Sequence, residues 1–182
     1  MFKYILILIF FALISNSKAE IKEKIIENLQ NIENLRFEFE QNINGKIENG
    51  ICTIMYPKKI YCKYSKNNKI LVSNGKSLVI KTETSFYRYS LKKTPLNLIL
   101  DKNFLIKKIN ILKENVIDKN LINFAIIEND NEINIFFDNK TFSLVGWKTR
   151  DIYQNTNITY LSSIEINKKI TKNLFKIPSQ LN

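Results

Sequence analysis

Apolar residues fall into three successive patterns along the chain, and each predicts a different kind of element. Ile5 to Ile14 form one unbroken apolar run behind a single lysine, Lys3. From Glu20 to Asn34 the spacing is helical. Ile21, Ile25, Leu29 and Ile32 recur with Lys22, Glu23, Glu27 and Gln30 between them, which predicts an amphipathic helix with Asn34 as its exit. The period then drops to two. Leu35, Phe37 and Phe39 alternate with Arg36, Glu38 and Glu40, so one face of a strand is apolar and the other charged.

Short strands follow at intervals of ~8–12 residues, a spacing typical of antiparallel sheets. They are expected over Ile47 to Tyr56, Ile60 to Ser65, Lys69 to Ser73, Ser77 to Lys81 and Phe86 to Ser90. Asn74-Gly75 is the strongest hairpin dipeptide among their turns. Thr94-Pro95 then interrupts the meander. Leu96 to Leu100 reads as a short helix with Thr94 as its cap and Pro95 in its first turn, and Asn103 to Lys108 as a further helical turn. The strand pattern returns over Ile109 to Val116, Leu121 to Ile127, Glu132 to Phe137, Thr141 to Trp147 and Thr156 to Ile166. About eleven short antiparallel strands must curl, and helices grouped between two runs of strands suit a cover over one opening of that curl. The expected class is α+β, mainly antiparallel β.

Alternation assigns faces. Cys52, Ile54 and Tyr56 share one side of their strand; Ile60, Cys62 and Tyr64 share one side of the next, opposite Tyr61, Lys63 and Ser65. With Leu35, Phe37, Phe39, Leu78 and Ile80 they make an inward-facing apolar set. Such a set fills either an ordinary packed core or the lining of a ligand cavity, and the pattern fits both. Cys52 and Cys62 face the same way on two arms of one hairpin. They either form a disulfide, if the register brings them together, or remain two small buried thiols.

The opening residues place the chain. A positive start, a short apolar core and Ser17-Lys18-Ala19 at its end read as a secretory signal peptide cleaved after Ala19. The apolar run is about half of the ~20 residues that span a bilayer. Residue 20 is glutamate, not the cysteine that a lipid-anchored bacterial protein needs. The expectation is therefore a leader, 1–19, and one mature domain, 20–182, free in the periplasm. Loss of Lys3 and Lys18 with the leader takes the formal charge from +11 to +9. The lysines are scattered among apolar strand residues, which reads as a solvated outer face with at most a mild attraction to anionic membranes; nucleic acid is not an expected partner.

Candidate chemistry is thin. Histidine is absent, which removes the commonest general base and metal ligand. Two cysteines alone do not build a zinc site, and four scattered glycines make no phosphate loop. No catalytic residue, metal site or cofactor is expected.

An ordered set of motifs remains. The initial helix is followed by Phe37-Glu38-Phe39-Glu40-Gln41, Gly50 opening a strand, Tyr56-Pro57, the run from Ile70 to Leu78 through Asn74-Gly75, Thr94-Pro95 with Leu98-Ile99, and Phe175-x-x-Pro178. In that order the chain resembles the outer-membrane lipoprotein carrier family, LolA, over essentially its mature length. The resemblance implies an unclosed antiparallel half-barrel with a helical lid over its apolar concave side. It implies a monomeric periplasmic carrier with no enzymatic activity. Such a carrier takes acylated lipoproteins from an inner-membrane LolCDE-type ABC transporter to an outer-membrane, LolB-type acceptor. A same-fold acceptor and a periplasmic lipid-sensing module are the alternatives. On this reading Leu35, Phe37, Phe39, Ile54, Tyr56, Ile60, Cys62, Tyr64, Leu78 and Ile80 line the cavity, with Leu96, Leu98 and Ile99 as lid contacts. Ile60 takes the place of a hydrophobic residue important for receiving cargo. Family members carry an arginine before the proline of the Tyr56-Pro57 turn, and its hydrogen bonds hold the empty cavity shut. Here Tyr56 stands there, with one hydroxyl in place of a forked donor.

Overall fold

The computed structural model describes residues 20–117, 119–128, 131–150 and 154–179; the leader and its cleavage point lie outside them. Helix α1 covers residues 20–31. Six strands follow: β1 (Asn34–Ile43), β2 (Lys46–Met55), β3 (Lys59–Tyr64), β4 (Ile70–Asn74), β5 (Ser77–Lys81) and β6 (Phe86–Ser90). A 3-10 turn (Leu91–Lys93) and two helices, α2 (Leu96–Ile99) and α3 (Lys102–Ile111), lead to β7 (Asn115–Ile117), β8 (Leu121–Glu128), β9 (Asn131–Asp138), β10 (Leu144–Arg150) and β11 (Thr156–Ile166). The strands form one antiparallel sheet of eleven, ordered β6-β5-β4-β3-β2-β1-β11-β10-β9-β8-β7. β6 and β7 stand at opposite edges without pairing, so the half-barrel is not closed.

β1 sits at the centre because both its neighbours match its alternation. Leu35, Phe37 and Phe39 lie opposite Ile54, Cys52 and Gly50 of β2, and Phe39 also lies opposite Leu161 of β11. Gly50 is required there. A Cβ at that position would come 2.3 Å from the Lys63 carbonyl and 2.8 Å from the Phe39 ring. The space it leaves is filled by Phe39 and Tyr64, edge to face with centroids 5.0 Å apart, an arrangement aromatic rings prefer. At the β4–β5 turn Gly75 adopts φ +96°, open to glycine without steric penalty. The Asn74 side chain accepts the Lys76 and Ser77 amides there.

The inner face packs against the helices. Phe37, Ile54, Phe124, Ile135 and Phe137 from the sheet meet Ile25 and Leu29 of α1 and Leu105 and Ile109 of α3 in one buried cluster. Each fully buried side chain of this size contributes about 1.5–3 kcal/mol. The outer face is covered only in part. Val72 and Val79, opposed across β4 and β5, are buried outside that cluster. The chain after β11 lies on this side: Phe175 is buried, and Lys81 donates to the Ser179 carbonyl at 3.4 Å.

Two expectations are corrected. No strand runs over Ile109 to Val116; α3 continues to Ile111 and β7 holds only three residues. A strand would place Ile109 and Ile111 on one face, yet Ile109 is fully buried and Ile111 is 70 % exposed. Leu105 and Ile109 extend the helical stripe, and that spacing overrides the β-branched composition. Thr94 does not cap α2. Its hydroxyl donates to the Leu91 carbonyl at 2.8 Å and closes the preceding 3-10 turn. The cap that does form is Asp101, which accepts the Phe104 amide at 3.1 Å at the start of α3.

Candidate functional site

The inner face is a continuous buried apolar surface, and α1, α2 and α3 pack over it. Leu35, Phe37, Phe39, Ile54, Ile60, Cys62, Tyr64 and Leu78 are all buried there. Ile80 is half-buried nearer the open edge. Ile99 of α2 is buried, while Leu96 and Leu98 of the same helix pack half-exposed against the cluster. Cys52 and Cys62 are directly opposed across β2 and β3 and joined in a disulfide. The register settles the choice between a bridge and two thiols. The loop they close spans ten positions, which is worth about 2–3 kcal/mol in the chain-entropy account.

Sequence reasoning missed much of this surface. Ile122, Phe124 and Ile126 of β8 face inward with Ile133, Ile135 and Phe137 of β9 and Trp147 of β10. The alternation that marks them is as clear as that of β1. Tyr87 and Tyr89 of β6 lie opposite Ile80 and Leu78, on the inner side, and are about half exposed. There the apolar face runs out from under the helices toward the open edge.

Polar contacts at the rim hold the helical cover down. The Lys58 amide, in the β2–β3 turn, donates to the Leu100 carbonyl at 2.8 Å. The Lys58 ammonium stands 3.3 Å from the Asp101 carboxylate. Lys102, in the first turn of α3, donates to the carbonyls of Gln30 and Ile32 at 3.0 and 2.8 Å. At the other end Lys22 of α1 donates to the Leu112 carbonyl just past α3. α1 and α3 therefore run antiparallel, and each supplies a cation to the carbonyl end of the other, where the helix dipole favours positive charge.

Tyr56 does not take part in that closure. Its peptide bond to Pro57 is cis, and its amide donates to the Glu33 carbonyl at 3.0 Å. Its hydroxyl is buried with no hydrogen-bond partner among the described residues. Burial also pushes the phenol well above the usual tyrosine range. The single hydrogen bond that its place before Pro57 suggests is not made. Tyr64 differs. Its hydroxyl donates to Gln41 at 3.3 Å and the Lys69 ammonium lies 4.0 Å over its ring, while burial and the nearby Glu48 charge raise its phenol too.

Among the described residues no group of three or more histidine, cysteine or acidic side chains is placed to hold a metal, and no helix is long and apolar enough to cross a membrane. The described residues thus give an apolar sheet face with short helices packed over it.

Residues 30–178 match the family described as outer membrane lipoprotein carrier protein LolA. The chain belongs to the LolA family. Comparison with curated proteins finds no match. Among solved structures, the likeness extends to a LolA superfamily protein from Nitrosomonas europaea, at 8% identity over 88% of this chain and 97% of that one, TM-score 0.46. An uncharacterized conserved protein from Thermus thermophilus shares 6% identity over 90% and 95%, with TM-score 0.51. The Mycobacterium tuberculosis lipoprotein LppX shares 11% over 84% and 98%, with TM-score 0.46. At such identities the likeness concerns the LolA fold alone.

Proposed function

We propose that this LolA-family chain is a periplasmic carrier that shelters the acyl chains of lipoproteins between the inner and outer membranes. A LolCDE-type transporter would supply the cargo and a LolB-type acceptor would receive it. The observation that carries the reading is the apolar inner face closed by a cover held with a few rim contacts.

Energetics explain the need. Each methylene withdrawn from a bilayer forfeits about 0.8 kcal/mol, so an acylated protein leaves its membrane only if comparable apolar burial is offered. The inner face offers it, with Phe37, Phe39, Ile54, Ile60 and Leu78 as the lining. α2 and α3, with Leu96, Leu98 and Ile99, are the part that moves. While the site is empty their apolar sides fill it. With cargo bound, acyl chains take their place, and the ring edges of Tyr87 and Tyr89 extend the lining at the open side. No reaction and no cofactor is involved.

The test is release. Purified protein is added to spheroplasts and the medium is assayed for lipoproteins in a complex that stays in solution. The reading expects release by the native chain and its loss in Phe39→Glu and Ile60→Glu, with cooperative unfolding retained. Absence of release under conditions where a known carrier succeeds contradicts it.

A further inference from the structure

The outer face carries a second feature that the carrier reading leaves unused. After β11 the chain turns at Asn167 and runs back along the outside of β1 to β3. Asn167 fastens that turn. Its side-chain oxygen accepts the amides of Glu33 and Asn34 at 2.8 and 3.3 Å, and its side-chain nitrogen donates to the Asn31 carbonyl at 2.8 Å. Between this strap and the sheet lies a groove of about 660 Å³, a size typical of binding clefts. Its floor is the outward side of β2 and β3, with Ile51 directly opposite Lys63 and Thr53 opposite Tyr61. Its far wall includes Lys168 and Lys169.

Charge sets this groove apart. Among the described residues no carboxylate lines it; Glu38, opposite Ile51 across β1 and β2, stands at its border and accepts from the Ser163 hydroxyl at 3.3 Å. Arg36 is engaged by Glu165 at 3.0 Å. Lys63, Lys168 and Lys169 are exposed, and their ammonium groups make no ion pair or hydrogen bond among the described residues. Three unneutralised cations beside an apolar contact, Ile51 at 41 % exposure, constitute a complementary surface for carboxylates spaced by apolar side chains.

We propose that this groove docks an extended acidic segment of a partner protein, one in which carboxylates alternate with apolar residues. An extended strand presents successive side chains to opposite sides, so a segment lying between strap and sheet can turn its carboxylates to Lys168 and Lys169 on the wall and its apolar residues to Ile51 on the floor. The lysines stand on both the floor and the wall of a groove, a concave site that suits a narrow segment better than a flat bilayer. Docking here leaves the inner face and its cover free, so a partner can hold the molecule while that face is loaded or emptied. The proposal does not depend on what the inner face carries.

The experiment is an amide-shift titration of the isotope-labelled protein with the blocked peptide Asp-Leu-Asp-Leu-Asp-Leu, its Lys-Leu counterpart, and vesicles of phosphatidylglycerol and phosphatidylcholine. The acidic peptide should shift amides in residues 51–53, 61–65 and 168–171. Its affinity should fall about tenfold between about 0.1 M and about 1 M salt, where the screening length shrinks from ~10 to ~3 Å. The triple variant Lys63→Glu, Lys168→Glu, Lys169→Glu should weaken binding by about tenfold or more with an unchanged melting temperature. Should that variant melt early, Lys168→Gln with Lys169→Gln should still weaken binding severalfold. Equal response to both peptides, shifts confined to the inner face and its cover, or full affinity in the lysine variants would overturn the proposal. Binding of the anionic vesicles without a peptide response would overturn it too, and would assign the lysines to a membrane surface.

Discussion

Lys102 of α3 donates to the carbonyl of Ile32, just past the end of α1, at 2.8 Å. The two residues are seventy positions apart in the chain, and their contact ties the cover to the rest of the fold. A second bond from the same ammonium reaches Gln30. Replacing Lys102 by methionine keeps the apolar stem and removes both. Hydrogen bonds from charged donors contribute about 1.5–3 kcal/mol, discounted here because the side chain is half exposed. The expected loss is about 1–2 kcal/mol in urea unfolding. Faster hydrogen exchange should appear in α2 and α3 but not in β1. Uniform exchange across the molecule would show that Lys102 does not act on the cover.

Tyr56 is the counterpart of that economy, a buried hydroxyl with nothing to bond. Such a group costs about 1–3 kcal/mol. Tyr56→Phe should therefore leave stability unchanged or raise it, with the gain read from the denaturation midpoint. The phenol is held neutral by burial, so its folded pKa lies above the unfolded value of about 10. Below that pH both states keep the proton and the shift has no effect. Above it the unfolded chain ionises first, and stability falls as pH rises. Tyr56→Phe should soften that alkaline loss but not abolish it, because Tyr64 is displaced in the same direction.

The Cys52–Cys62 bridge ties β2 to β3 one inward-facing pair along from Gly50 and Tyr64. Substituting both cysteines by alanine should cost about 2–3 kcal/mol, or about 4–12 °C in melting temperature at 2–4 °C per kcal/mol for a chain of this size. Reduction of the native protein should reproduce the loss. A native protein whose melting is unaffected by reductant would contradict the bridge.

Asn167 anchors three backbone groups of the α1–β1 junction and starts the strap. Asn167→Ala should cost about 2 kcal/mol through backbone groups left unpaired. It should also speed proteolytic cleavage after Lys168 and Lys169 before the sheet unfolds. Cleavage that waits for global unfolding would show that the strap is held by other contacts.

How much of this was legible follows from how far each feature reaches along the chain. Alternation is local, so the inward facing of Leu35, Phe37, Phe39, Ile54, Ile60 and Leu78 could be read residue by residue, and the strand count with it. The same signal in β8 and β9 was present at Ile122, Phe124, Ile126, Ile133 and Ile135, but it carried no motif to draw attention. The end of α3 was misread because Ile109 and Ile111 suit a strand by composition, while burial follows helical spacing. The rim contacts had no local trace. Lys58, Lys102 and Lys22 look like ordinary surface lysines until the fold brings them to Asp101, Ile32 and Leu112. Asn167 was silent too, since a lone asparagine at φ 53° after a strand has no period.

The central claim is that acyl chains enter between the inner face and its cover. Ile80 on the inner face is half-buried, and Tyr160 lies on the outer face, stacked against Phe136. A photoreactive benzoylphenylalanine placed at each position, with an acylated lipoprotein and its non-acylated form as partners, distinguishes the two sides. The account predicts a cross-link from position 80 to the acylated form alone, and none from position 160. Equal cross-linking from both positions, or equal capture of the non-acylated protein at position 80, would contradict it.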